Sequence, residues 1–120
     1  AASDVYKRQD IYRAIAEFEG QFVQMYDLSL NEGMLLCTLL DRTQLTASEI
    51  AEALGLSASN ASKVIRSVES KKLITRVVGK KDKRQMLFAL TLEGKNRILN
   101  IKGATWKLPD LLLQAIGEQP

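Results

Sequence analysis

From residue 10 onward, apolar side chains return every three or four positions. Ile11, Ile15, Phe18, Phe22 and Met25 are spaced by four, three, four and three, which places an apolar stripe on one face of a helix. The spacing predicts a helix from about Asp10 to Tyr26, with its stripe serving either core packing or a heptad-like seam between two copies. The nine residues before it, AASDVYKRQ, show no such period, and we expect them to be non-native or disordered. Ser29-Leu30-Asn31-Glu32 has the form of a capping box and opens a second, Leu-rich helix through about Leu40. Residues 41–44 read as a polar connection. Thr46-Ala47-Ser48-Glu49 is a second capping box, opening a short helix with Ile50, Ala51 and Leu54 on its inner face. Gly55 stands where a chain leaving a helix favours positive φ, and Leu56 can fold back onto the last turn. Ser57 then caps a third helix. Its Ala61, Val64 or Ile65, and Val68 are expected to face inward.

After Leu73 the period becomes strand-like. Residues 74–78 are mostly β-branched, residues 79–84 form a charged turn, and residues 85–90 are a second apolar run, together a β-hairpin. Thr91 can cap a further helix to about Lys102, with Glu93 in its first turn. Gly103 and Pro109 break the pattern, and Leu111, Leu112, Leu113 and Ile116 suggest a last short helix. The fold class is therefore mainly α with a small β-hairpin. It reads as one domain over residues 10–120: a helix at 10–28, a helix-turn-helix with its hairpin at 29–91, and a helical segment at 92–120.

Composition narrows the chemistry. The chain has no histidine and one cysteine, so the commonest general base and the usual transition-metal ligand sets are missing. Glu17 and Glu19 are two apart on a helix and do not share a face, so they make a poor catalytic pair. No Gly-rich phosphate loop is present. These points weigh against an enzyme, and neither a metal nor a cofactor is expected. No apolar run reaches the length of a membrane span, and no secretory pattern opens the chain. With the lone Cys37, this suggests a reducing, cytoplasmic setting. Cys37 lies among Leu35, Leu36, Leu39 and Leu40, where we expect a buried core thiol rather than a redox sensor.

The net charge of +3 is unevenly placed. Residues 1–56 hold four cations against nine acids, a net −5, whereas residues 57–84 hold nine against two, a net +7. A basic block of this kind is an electrostatic footprint with a location, although a solvated basic surface is the plainer reading. Within it, the second helix of the helix-turn-helix presents Ser57, Ser59, Asn60, Ser62, Lys63 and Arg66 on its polar faces. Short side chains near a helix N-terminus allow close approach to the major groove, where base edges differ in donors and acceptors. Asn60 suits adenine and Lys63 suits guanine or a phosphate. Arg66, Lys71 and Lys72 lie further along, where they would touch backbone phosphate or support the fold. Four cations, Lys80, Lys81, Lys83 and Arg84, cluster at the hairpin tip around Asp82. A narrow minor groove attracts such a tip. Asp82 would repel DNA directly, so it is expected to pair with a neighbouring cation and fix the loop.

The stretches LSLNEGMLLCTLL (28–40), LTASEIAEALGLSASNASKVIRSVESKKLITR (45–76), DKR (82–84) and LTLEG (90–94) resemble the MarR family of winged helix-turn-helix transcriptional regulators. The resemblance implies a homodimer joined through its terminal helices, binding a pseudo-palindromic double-stranded operator, more often as repressor than activator. It implies a major-groove helix at 57–71, an arginine at Arg84 entering the minor groove, and Asp82 holding the wing. It also implies a small aromatic effector, for which Tyr12, Phe18, Phe22 and Tyr26, and also Trp106, are candidate pocket residues that fit the core equally well. Two departures stand out: Lys72 occupies a position where the family commonly has glycine, and the segment after Gly94 is short and interrupted. The alternative function is a winged-helix module that binds protein and not DNA; the basic block counts against it.

Overall fold

The computed structural model describes residues 2–103. Five helices and three strands follow in the order α1 (Ala2–Tyr26), α2 (Leu30–Arg42), β1 (Gln44–Leu45), α3 (Ala47–Leu54), α4 (Ala58–Ser70), β2 (Ile74–Val78), β3 (Met86–Leu90) and α5 (Leu92–Gly103). The chain divides into two compact units, with α1 in one and the elements from α2 to α5 in the other.

In the first unit, α1 begins at Ala2 rather than near Asp10, so residues 2–9, expected to be non-native or disordered, are helical. A helix needs no apolar period to continue: Val5 and Tyr6 extend α1 as exposed residues. The covered face also differs from the expected stripe. Ala14 and Phe22 are buried, whereas Ile15 and Met25 are exposed. Periodicity fixes a face but does not say how much of its length is covered.

The second unit is built around α2. Leu35, Leu36 and Leu39 of α2 are buried with Ile50 of α3, Ala61, Ile65 and Val68 of α4, and Phe88 of β3. Of the two alternatives on α4, Ile65 is the buried one and Val64 is half-buried. The hairpin pairs antiparallel from Ile74 opposite Leu90 to Val78 opposite Met86. It carries a third strand, Gln44–Leu45, which starts at the last residue of the expected polar connection. Gln44 and Leu45 pair antiparallel with Ala89 and Phe88, giving the order β1-β3-β2. Two residues have no recognisable strand period; they are a strand only because β3 offers its free edge.

Local chemistry sets the breaks. α3 opens on Thr46, whose hydroxyl accepts from Glu49 N (3.2 Å) while Glu49 Oε1 accepts from Thr46 N (2.9 Å). It closes at Gly55, φ 67°, with Leu56 N donating to Ala51 O at 2.9 Å, the double-bonded exit that a left-handed residue permits. No described helix is long and apolar enough to cross a membrane. The expected break beyond Gly103 and the helix near 111–116 lie outside the described residues.

Candidate nucleic-acid interface

The α3–turn–α4 unit directs the polar faces of α4 outward. Ser57 Oγ caps α4 by accepting from Asn60 N at 3.1 Å. With Ala61, Ile65 and Val68 turned inward, Ser57, Ser59, Asn60, Ser62, Lys63 and Arg66 are all exposed. Arg66 lies back along its helix, its Nε donating to Ser62 O at 3.4 Å.

The tip between β2 and β3 is closed by Gly79 N donating to Gln85 O (2.9 Å) and Gln85 N donating to Asp82 O (3.0 Å). Lys80, Lys81, Lys83 and Arg84 are exposed around it. One oxygen of Asp82, Oδ1, accepts from both the backbone N (3.0 Å) and the Nε (3.2 Å) of Arg84. The Arg84 side chain is nonetheless 92% exposed. The carboxylate thus holds the base of the arginine and leaves its terminal amino groups available.

Long-range side-chain pairs that leave no local sequence signal connect these parts. Arg76 of β2 forms a two-pronged pair with Glu69 of α4, Nε to Oε2 at 2.8 Å and a terminal nitrogen to Oε1 at 3.2 Å. Its guanidinium carbon lies 5.6 Å from the centre of the Phe88 ring. Hydrogen bonding to Glu69, then that residue's charge, pushes the Arg76 pKa above its ordinary value. The pair ties the hairpin to α4 across the bend. On the other side of α4, Glu32 of α2 meets Ser67 and Lys71. Glu69, the one acid on α4, was a visible anomaly in a basic block; its partner seven residues on was not.

The exit of α4 follows a glycine-like path although the residue there is lysine. Lys72 has φ 62°, and Leu73 N donates to Val68 O at 3.2 Å, the same six-residue closure as at Gly55. The departure at this position changes the side chain and keeps the backbone geometry. Thr91 then locks the exit, its hydroxyl donating to Lys72 O (2.8 Å) and its N–H to Leu73 O (3.0 Å). The same hydroxyl caps α5 by accepting from Gly94 N at 3.0 Å. A Cβ added at Gly94 would run into the Leu73 carbonyl oxygen, so the LTLEG stretch combines a cap with a close backbone crossing.

The four aromatic candidates are only partly gathered. Phe18, Phe22 and Tyr26 form a ladder on α1, with ring centres 6.5 and 5.2 Å apart. Tyr12 is 73% exposed. A shallow cavity of about 300 Å³ lies in the other unit, lined by residues that include Leu39, Gln44, Leu90 and Lys95. Trp106 lies outside the described residues. Cys37, expected to be buried, is half-buried: Leu35, Leu36 and Leu39 are covered, but Cys37 and Leu40 lie at the edge of the packed face. No group of three or more His, Cys, Asp or Glu able to hold a metal occurs among the described residues.

A family model for the MarR family matches residues 28–86, from the entry to α2 through the hairpin. Over that stretch, the chain is similar to the MarR family. That likeness supports a DNA-binding transcription regulator of winged-helix fold rather than an enzyme, with α4 matching the second helix of the helix-turn-helix and the 79–85 tip matching the wing. Among curated proteins no sequence match is found. Solved MarR-type structures align over nearly all of the chain. MepR of Staphylococcus aureus, a transcription regulator of the multidrug efflux pump MepA, is 24% identical, with 100% of this chain and 84% of that one covered and a TM-score of 0.69. MepR bound to DNA is 24% identical over 92% and 85% of the two chains, with a TM-score of 0.64. The transcriptional regulator BldR of Sulfolobus solfataricus is 18% identical over 98% and 83%, with a TM-score of 0.72.

Proposed function

We propose that this MarR-like protein binds a pseudo-palindromic operator as a homodimer, with α4 in the major groove and Arg84 of the wing in the adjacent minor groove. The observation that carries the reading is the pairing of two exposed surfaces, the polar faces of α4 and a wing tip bearing four cations. Ser57, Ser59, Asn60, Ser62 and Lys63 stand where base edges would lie, and Arg66 where the phosphate backbone would pass. Lys80, Lys81 and Lys83 add charge for the duplex, and Asp82 sets the direction of Arg84. That MepR has been seen bound to DNA supports the same use of this fold.

Two finer features belong to the reading. The exposed apolar side chains of α1, including Val5, Tyr12 and Val23, support α1 as part of the dimer seam. Regulation by a small aromatic effector, with repression as the default, follows from the resemblance; the ladder of Phe18, Phe22 and Tyr26 is the aromatic surface available for it.

Selection of preferred sequences from a random DNA pool tests the reading, with affinity then measured across salt. The expected product is a two-fold repeat with half-sites about one helical turn apart. If the dimer neutralises ~6–10 phosphates, affinity falls about 10³–10⁵-fold between about 50 and 200 mM salt. Absence of any selected sequence, together with a flat salt response, would overturn it.

A further inference from the structure

Among the described residues, Glu32 is the charged side chain that the fold buries, at 7% exposure. It lies in the first turn of α2 and reaches across to the recognition helix. Its Oε2 accepts from Ser67 Oγ at 2.7 Å, and Lys71 Nζ lies 3.3 Å from Oε1 and 3.2 Å from Oε2. Ser67 and Lys71 follow Asn60 by seven and eleven residues, a spacing that puts all three on one stripe of a helix. Glu32 therefore grips the stripe that presents Asn60, two turns beyond it.

Apolar packing by Ala61, Ile65 and Val68 resists withdrawal of α4 but has little direction about the helix axis. A buried carboxylate behaves differently. Rotation or sliding of α4 would separate Glu32 from Ser67 and Lys71 and leave its charge away from water without those partners, which is strongly unfavourable. We propose that Glu32 is a positioning residue for DNA reading: held by Ser67 and Lys71, it fixes the rotation of α4 so that Asn60 faces the base edges. The proposal rests on the reading of α4 as a major-groove helix.

The sign of the effect separates positioning from simple charge. Glu32→Gln removes a negative charge from the DNA-binding unit, so electrostatics alone would tighten binding to a polyanion. Positioning requires the opposite. The Glu32→Gln protein, checked for an intact fold by circular dichroism and thermal unfolding, is expected to bind the selected operator about tenfold more weakly. Its affinity for unrelated DNA and its salt slope should be nearly unchanged, because no phosphate contact is lost. Equal or tighter operator binding would overturn the proposal.

If the Glu32→Gln variant does not fold, Ser67→Ala and Lys71→Gln approach the same contact from α4, singly and together. Losses of specificity that are smaller together than summed support one coupled tether. A loss confined to Lys71→Gln, with the salt slope reduced by about one and specificity kept, would make Lys71 a direct phosphate contact and overturn it. A wild-type protein that selects no DNA removes the operator reading and this inference with it. A wild-type that selects an operator to which the Glu32→Gln variant binds equally well removes only the inference.

Discussion

Lys72 holds a conformation that glycine adopts freely and other L-residues adopt at a cost of roughly 1–2 kcal/mol. The chain keeps it because two closures depend on it: Leu73 N on Val68 O, and Thr91 on the Lys72 and Leu73 carbonyls. Lys72→Gly should therefore stabilise the protein by about 0.5–1 kcal/mol, the steric relief being partly offset by the greater freedom of glycine in the unfolded chain. Urea unfolding would show it as a higher midpoint at unchanged slope; a lower midpoint would mean that the lysine side chain supplies something the backbone does not. Gly94 presents the reverse case. Gly94→Ala drives a methyl into the Leu73 carbonyl and should cost at least about 1–3 kcal/mol, as overpacking does. Thermal unfolding of that variant at wild-type stability would show that the crossing can open. Neither cost could be read from sequence. Lys72 was visible only as a departure at a glycine position, and the neighbour that makes Gly94 necessary lies 21 residues away.

Whether an element was legible depended on how far away its causes lie. The α3–turn–α4 unit is written in short-range terms: Thr46 with Glu49, Gly55 with Ala51, and Ser57 with Asn60 are all within four residues. Its bounds accordingly fall close to the expected ones. β1 depends on a partner strand more than 40 residues away, and the Glu32 tether spans 35 and 39 residues, so neither leaves a local trace. The same logic separates the site. The exposed cations of the wing were legible from charge; the Arg76–Glu69 pair that ties the wing to α4 was not. The cap of α3 also has a pH signature. Hydrogen bonds from the Thr46 backbone and hydroxyl, more than the charge of Arg42, hold the Glu49 carboxyl below its ordinary pKa. A depressed folded pKa gives stability that is complete above the unfolded value and is lost as pH falls through the folded one. Glu49→Gln should therefore lower stability at neutral pH and flatten the acid limb, the two proteins converging as pH falls through the folded pKa. An unchanged acid limb would mean that the capping box does not persist in solution.

At the scale of the molecule, two features look beyond a single chain. The negative net charge of residues 1–56 and the positive charge of residues 57–84 make one stretch suited to a polyanion and the other unsuited to it. On α1, Tyr12 lies seven residues after Val5 and Val23 eleven after Tyr12, all three exposed, an apolar stripe distinct from the covered one at Ala14 and Phe22. Large exposed apolar side chains recurring on one helix face are a surface suited to an interaction. Tyr12→Glu with Val23→Glu should convert a dimer to monomers in analytical ultracentrifugation while the α2–α5 unit keeps its helicity. Operator affinity should fall with it, because a lone half-site gives up the second head. A wild-type dimer whose double variant keeps its mass would place the seam elsewhere.

The Thr91 junction has a mechanical consequence. Its hydroxyl and N–H seize two successive carbonyls at the exit of α4 while the same hydroxyl caps α5, and Gly94 leaves no gap beneath them. Hydrogen bonds of this length tolerate only a few tenths of an ångström before they weaken. The first turn of α5 and the last turn of α4 are thus a rigid elbow without slack: a tilt applied to α5 must either reach α4 or break the joint.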